Sequence, residues 1–411
     1  MRDSNKKFFR YLRTAALKSL SQRITSLIAE AKNLGLLRHI PQVEKRDAET
    51  VKIAGRTLFN FASNDYLGLS HHPAVLETVA KAAKELPTSS SSSRLICGDS
   101  EQLRQLETDI AELKQRESSL VFPSGYHTNI GTICALCRKG DFILSDNDNH
   151  ASLIDAIRLS GATVLIFKHN DPESLEANLK KVPDEAFCLV VTESVFSTDG
   201  SVAPLPKIIE ICERYGATLM LDEAHATGTL GETGRGTEEQ FNLKGRCHIL
   251  MGTLGKALAS LGGFIAGSPE LTSALTNRAR SLIYSTALPP LSAVAASAAI
   301  RTLLKDPAPL EKLRKNIQLF VNEMKKRTDL DFSRKVQTPI FPIRIGDERE
   351  VIVARAKLIE KGFYTAALRY PTVPKGAAML RISLSAVHSE ESVTSLAAHI
   401  SEIISEKNRL S

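Results

Sequence analysis

Lys256 lies in Gly252-Thr-Leu-Gly-Lys-Ala-Leu-Ala-Ser-Leu-Gly-Gly263, thirty-four residues after Asp222 in Leu221-Asp-Glu-Ala-His-Ala-Thr-Gly228. A lysine amine held partly desolvated beside a carbonyl compound is a nucleophile that forms a Schiff base. A carboxylate closing a buried strand can hold a heterocyclic nitrogen protonated. Together the two groups match the way a protein grips pyridoxal phosphate, with lysine on the aldehyde and aspartate on the pyridinium. Taken singly, such a pair is an ordinary surface lysine near a strand end. The glycines flanking Lys256 argue for close approach of the backbone to a ligand.

Further polar groups recur at comparable places along the chain. Ser124-Gly-Tyr-His-Thr-Asn129 follows an apolar run and opens a helix. The N–H groups of a helix N-terminus suit a phosphate, and Gly125 lets it come close. His150, in Asn149-His-Ala-Ser-Leu153, starts another helix and on its own reads as a cap or a satisfied polar group. Glu193-Ser-Val-Phe-Ser-Thr-Asp-Gly200 reads alone as a strand running into a turn. Their order carries the weight: a helix-opening glycine, a histidine, Ser197, then Asp222 with His225, then Lys256 with Thr253 beside it.

The elements that must position these groups are apolar strands alternating with amphipathic helices. Strands are predicted at 119–122, 141–144, 163–167, 188–192, 218–221, 248–252 and 263–266, and a short one near 51–54. Helices are predicted at 101–116, 151–159, 172–182 and 206–215. Near-continuous apolar strands separated by helices give a largely parallel sheet covered on both faces. Ligands then bind beyond the carboxyl ends of the strands, where Asp222, His225 and Lys256 fall. Past Pro290 the pattern changes to a helix at 309–326, strands at 339–345, 363–369 and 379–385, a helix at 348–361 and a last helix from Ser389. The expected organisation is an N-terminal helical segment with a short strand (1–60), a large α/β domain (61–295) and a smaller α+β domain (296–411).

With 411 residues, 43% hydrophobic and 24% charged, the composition is that of a globular protein of more than one structural unit. The longest apolar stretch, around 291–300, is too short to span a bilayer, and no hydrophobic leader opens the chain. Six cysteines without a framework fit a reducing compartment, here the cytoplasm. Cys134 and Cys137 form a lone Cys-x-x-Cys, better read as buried helix residues than as a metal or redox pair. The formal charge of +7 is concentrated at the start, where residues 1–25 hold seven Lys/Arg against one Asp. There Leu17, Leu20, Ile24, Leu27 and Ile28 follow helical spacing, giving a basic amphipathic helix that packs on the protein or a partner subunit. Aromatic residues do not interleave the basic ones, which disfavours nucleic acid, and no stable membrane insertion is expected.

The motifs resemble those of the α-oxoamine synthases, pyridoxal-phosphate enzymes of fold type I, over nearly the whole chain from Arg38. The supporting segments include Phe61-Ala-Ser-Asn-Asp-Tyr-Leu-Gly-Leu-Ser70, Ile283-Tyr-Ser-Thr-Ala-Leu-Pro-Pro290, Pro371-Thr-Val-Pro-Lys-Gly376 and Leu380-Arg-Ile-Ser-Leu-Ser-Ala386. The branch they look most like serves biotin synthesis. The resemblance implies a seven-stranded, mostly parallel sheet in the large domain, pyridoxal 5'-phosphate as cofactor and a homodimer.

It also implies roles, position by position. Lys256 binds the cofactor and moves protons, Asp222 holds the ring nitrogen, and His150 stacks on the ring. His225 and Ser197 reach the phenolic oxygen, while Thr253, Gly125 and Tyr126 hold the phosphate. Thr286 reaches the phosphate of the neighbouring subunit. Asn64 and Arg381 bind the amino-acid carboxylate, and Arg38 and Thr372 contact the acyl substrate. No metal is implied. The implied reaction condenses L-alanine with a pimeloyl thioester, on CoA or an acyl carrier protein, with loss of CO2. Relatives that use glycine with acetyl-CoA, serine with a long acyl chain, or make a long-chain aminoketone remain alternatives, as does a silent partner subunit. Three features depart from the family pattern: serines at 89–93 where a glycine-rich turn is usual, Met379 in place of a residue that is often basic, and the longer basic N-terminus.

Overall fold

The computed structural model describes residues 19–410, and the chain divides into two compact units, one ending at Val43 and the other beginning at Glu44. In the first, helix α1 (Leu20–Asn33) starts at a capping box: the Ser19 hydroxyl accepts from the Gln22 N–H at 3.2 Å, and the Gln22 side chain accepts from the Ser19 N–H at 2.9 Å. Its apolar stripe of Leu20, Ile24, Leu27 and Ile28 is exposed, and no residue of the helix is buried. Leu17 and the basic residues before Ser19 lie outside the described residues.

The second unit is built on three sheets. Strands β1 (Val43–Arg46), β2 (Thr50–Ile53) and β3 (Arg56–Asn60) lead the chain into it. The central sheet uses β4 (Ser118–Phe122), β5 (Phe142–Asp146), β6 (Thr163–Phe167), β7 (Cys188–Glu193), β8 (Thr218–Asp222), β9 (Ile249–Thr253) and β10 (Gly263–Gly267). Their order is β4-β10-β9-β8-β7-β5-β6, and β10 alone runs antiparallel to its neighbours. The expected seven-stranded, mostly parallel fold is therefore what the chain adopts, with every predicted strand in place to within two residues.

Side-chain alternation explains why both faces need helices. Leu144, Val190, Leu219, Leu221 and Leu250 fill one core, while Ile143, Leu189, Val191, Met220, Ile249 and Met251 fill the other. Fully burying each such side chain is worth roughly 1.5–3 kcal/mol, so a polar residue within a strand would be costly. Polar groups are tolerated where the strands end, and β7 and β8 both close on a carboxylate: Glu193 lies in register with Asp222.

The C-terminal part carries β11 (Ile340–Gly346), β12 (Phe363–Tyr364), β13 (Ala366–Leu368) and β14 (Ala378–Ser383), with β11, β14 and β13 forming one antiparallel sheet. A single strand was predicted over 363–369, but the chain divides it. Phe363 pairs in parallel with Phe59 of β3, whereas Ala366–Leu368 pair with β14. The buried Thr365 makes the switch, its carbonyl accepting from Arg355 Nε at 2.9 Å. The amide of Ser383 also donates to the Phe61 carbonyl at 2.9 Å, tying the segment that holds Asn64 to the strand that holds Arg381.

Candidate active site

The carboxyl ends of β7, β8 and β9 deliver the central groups. Asp222 is the last residue of β8; Lys256 follows β9 by three residues, and His225 follows β8 by three. The Lys256 amine lies 2.8 Å from His225 Nε2, and His225 Nδ1 lies 2.7 Å from the Tyr66 hydroxyl. Burial makes the charged form of Lys256 costly; Asp222 and Glu193 pull the other way and Arg381 reinforces the effect, leaving the amine with a pKa of about 8. Burial likewise holds His225 well below its ordinary range, helped by the positive charges of Lys256 and Arg381. The pair therefore offers an amine that is readily unprotonated beside a neutral imidazole.

Asp222 is held by a separate network. Asn129 Nδ2 donates to Asp222 Oδ2 at 3.0 Å and to Ser152 Oγ at 2.9 Å, and Ser152 Oγ lies 2.8 Å from His150 Nδ1. The Ala224 amide donates to the other Asp222 oxygen at 2.9 Å. Because His150 Nδ1 also receives the Ser152 N–H, it acts as an acceptor and the ring proton sits on Nε2. His150 is itself exposed, and the protein around its ring lowers its pKa.

Helix 125–136 opens beneath this cluster, capped by the Ser124 hydroxyl, which accepts from the His127 N–H at 3.2 Å. The first helical N–H groups, of Gly125 and Tyr126, have no intrahelical acceptor. Gly125 is packed against Gly263: a Cβ on Gly263 would lie 2.8 Å from the Gly125 nitrogen and 2.4 Å from Thr128 Oγ1. Thr253 Oγ1, across the strand pair from Gly263, would be 3.6 Å from a Cβ on Gly125. Two facing glycines, a helix N-terminus and a hydroxyl make a cradle for a phosphate. An orphaned buried oxygen, Glu193 Oε1, lies on the neighbouring strand end. The residues present thus fit pyridoxal phosphate: a helix N-terminus with facing glycines suits a phosphate, a buried carboxylate suits a ring nitrogen, and an amine suits an aldehyde.

Arg381, on the fully buried strand β14, completes the cluster. Both terminal nitrogens donate to Asn64 Oδ1 at 3.2 Å, one donates to Ser383 Oγ at 2.7 Å, and Nε donates to the Ser197 carbonyl at 2.6 Å. A guanidinium so anchored is a fork for a carboxylate. The geometry brings Lys256, Asp222, His225, His150, Ser197, Asn64 and Arg381 into a single constellation, with Gly125 and Thr253 in the cradle below it. Tyr126 is exposed and its hydroxyl bonds Asp155. Thr286 is exposed in the loop before helix 290–305, outside these hydrogen-bond networks. Thr372 is exposed, its amide donating to the Arg369 carbonyl at 2.8 Å. Arg38 belongs to the first unit and is exposed.

The departures have structural counterparts. Ser90 Oγ donates to the Leu288 carbonyl and Ser89 Oγ accepts from the Ser91 N–H, so serine hydroxyls stabilise the turn at 89–93. Met379 is buried, paired with Arg344 on the neighbouring strand. Sequence reasoning gave no role to Tyr66, Asn129, Ser152 or Glu193. Asn129 shows a signal, one helical turn after Gly125, and Glu193 another, strand-final like Asp222.

A family model described as aminotransferase class I and II matches residues 56–400. The chain belongs to that family. Within it, an 8-amino-7-oxononanoate synthase from Thermoanaerobacter pseudethanolicus is 40% identical over 370 residues, which cover 90% of this chain and 93% of the relative. Among solved structures, a serine palmitoyltransferase from S. paucimobilis with bound PLP and myriocin superposes with a TM-score of 0.90 at 25% identity, covering 95% of this chain and all of the other. An 8-amino-7-oxononanoate synthase from Francisella tularensis gives 0.73 at 28% identity, covering 85% and 99%. This family member is thus an α-oxoamine synthase, and the fold-type-I expectation holds. Among the described residues, no helix is long and apolar enough to cross a membrane.

Proposed function

We propose that this chain is a pyridoxal-phosphate-dependent acyltransferase that condenses L-alanine with pimeloyl-CoA, or the pimeloyl carrier protein, to give 8-amino-7-oxononanoate, CO2 and the free thiol carrier. The reaction belongs to biotin synthesis. The observation that carries the reading is Lys256, an amine tuned to about 8, set among Asp222, His225 and the carboxylate fork of Arg381. Identity of 40% to a synthase of that name, against 25% to the serine enzyme, favours the biotin branch over its rivals.

Pyridoxal 5'-phosphate supplies, when bound, an electron sink for the pair left on the amino acid's α-carbon. The protein's part is placement and proton movement. Arg381 and Asn64 bind the amino-acid carboxylate and fix the face presented to Lys256. Lys256, its pKa lowered to about 8 by burial, takes the α-proton and returns one at the end. Asp222, oriented by Asn129, would hold the ring nitrogen, and His150, oriented through Ser152, would cover the ring. His225 and Ser197 would serve the phenolic oxygen. Gly125, Tyr126 and Thr253 receive the phosphate, and Thr286 serves the same group in a second subunit. Arg38 and Thr372 meet the acyl chain.

We read the protein as a cytoplasmic homodimer with a large domain at 61–295 and a small one at 296–411. The six thiols are all free, and Ile96 and Tyr284 stand 80% and 71% exposed, apolar surface of the kind a second subunit covers. The deciding assay offers alanine, glycine and serine in turn against short, medium and long acyl thioesters, with the aminoketone product identified by mass. Turnover confined to alanine and a pimeloyl thioester is the expected result. A preference for serine with a long chain would replace this reading with the sphingoid-base one.

A further inference from the structure

Tyr66 is fully buried, two residues after Asn64, and its phenolic oxygen has three polar neighbours: His225 Nδ1 at 2.7 Å, Asn64 Oδ1 at 3.2 Å and Arg381 Nη2 at 3.3 Å. Hydrogen positions follow from the network. Both terminal nitrogens of Arg381 point at Asn64 Oδ1, which fixes that atom as the amide oxygen. The Tyr66 hydroxyl donates to Asn64 Oδ1 at 3.2 Å, an oxygen with no proton to give in return. The Tyr66 proton therefore goes to Asn64. The lone pairs of the phenol remain to accept, one from Arg381 and one from His225. His225 must then carry its proton on Nδ1, leaving Nε2 bare toward the Lys256 amine 2.8 Å away.

We propose that Tyr66 is a positioning residue that locks His225 in its Nδ1–H tautomer, so that Nε2 accepts a hydrogen bond from Lys256 and steadies the lysine's charged form until the cofactor arrives. The proposal rests on Lys256 being the cofactor's lysine. Hydrogen bonds run in one direction from Lys256 through His225 and Tyr66 to Asn64. The other charged or titratable groups that bear on Lys256 and His225 are Asp222, Glu193, His150 and Arg381. None of them hydrogen-bonds either ring nitrogen of His225. Tyr66 at Nδ1 and Lys256 at Nε2 are the two partners of the ring, and of these only Tyr66 could present either a proton or a lone pair to an imidazole bound to the lysine ammonium.

Removing only the hydroxyl, as in Tyr66→Phe, leaves the Nδ1–H buried without an acceptor, which costs about as much as a lost buried hydrogen bond. The proton then moves to Nε2, which turns a donor toward Lys256. The ammonium loses its acceptor and gives up its proton more easily. The test follows the rate at which the full-length, cofactor-stripped protein captures pyridoxal phosphate, read from visible absorbance across pH. The wild-type rate rises with the free amine of Lys256. In Tyr66→Phe the midpoint falls by about one pH unit, and capture at neutral pH is several-fold faster. Mere damage to the site would slow capture instead. An unchanged or raised midpoint overturns the proposal.

A second measurement needs no variant. In the wild-type chain, 15N NMR of labelled histidine distinguishes a protonated from a bare ring nitrogen. A protonated Nδ1 and a bare Nε2 on His225 at neutral pH support the relay, and a proton on Nε2 sinks it. Should the wild type capture no cofactor, the reading of Lys256 fails, and this tautomer measurement then decides the relay alone.

Discussion

Two lysines, the buried Lys114 and the half-buried Lys256, sit beside two consecutive residues of one strand end, Asp222 and Glu223, yet meet opposite fates. Lys114 Nζ donates to Glu223 Oε2 at 2.7 Å and to the Arg235 carbonyl at 2.6 Å, with both side chains of the pair essentially inaccessible to water. The second Glu223 oxygen accepts from the Thr237 amide at 2.6 Å. Every partner is found and nothing remains to react. Lys256, by contrast, has no carboxylate within salt-bridge distance among the described residues; its hydrogen-bond partner is a neutral histidine. The difference teaches what makes a buried lysine chemical rather than structural. It must be desolvated but left without a counter-ion that would fix its proton.

The sharpest way to break this comparison is to remove each amine. Lys256→Ala should lower turnover by ~10³-fold or more, because the proton transfer and the cofactor attachment disappear together, while the melting temperature stays near that of the wild type. Steady-state assay beside a thermal melt separates the two. Lys114→Met should do the reverse. It strands the Glu223 carboxylate in the interior, at a cost of about 3–5 kcal/mol, and denaturant titration should record it. A Lys114→Met protein as stable as the wild type would show that Glu223 finds water or a new partner.

The strand end beside these lysines was readable from the sequence because the sheet leaves little choice. Runs such as Leu219-Met-Leu221 are apolar on both faces, so the first carboxylate after them marks the rim. Lys256 and Asp222 were legible through that rule, and Gly125 through the helix it opens. Tyr66 and Asn129 were not, since their partners are 159 and 93 residues away and only the folded sheet brings them together. Strand β3 was missed for a local reason. It returns from β2 through Ala54 and Gly55, both at positive φ, and an alanine there gives no hairpin signal of the Asn-Gly kind. The division of 363–369 into two strands was hidden too, because all its residues suit a strand and only the competing partners β3 and β14 separate them.

A titration sharpens the contrast between groups kept neutral for chemistry and for packing. His388 is buried against Phe61, its ring centroid 3.9 Å from the phenyl ring, with Nδ1 accepting from the Ser385 amide and Nε2 donating to the Asn60 carbonyl. Burial pushes its pKa down to about 4. The unfolded chain binds the proton first as pH falls, so the stability from this residue is full above about 6.5 and is lost on the way down to about 4. At roughly 1.4 kcal/mol per unit, some 3 kcal/mol is at stake. Urea midpoints from pH 7 to 4 should fall accordingly, and less steeply in His388→Gln.

The smallest expected effect concerns the fork rather than the amine. Arg381→Lys keeps the charge that helps depress Lys256 but surrenders the planar array that reaches Asn64, Ser383 and the Ser197 carbonyl at once. A point charge on a flexible stem binds a carboxylate with less orientation. Losing one arm of a charge-assisted pair is worth about 1.5–3 kcal/mol, so KM for alanine should rise by roughly 10- to 100-fold. The turnover number should change less, because Lys256 and its neighbours are untouched. If kcat fell instead and KM held, the guanidinium would be acting on the reacting atoms. The division of labour between the amine that moves the proton and the fork that presents the substrate would then have to be redrawn.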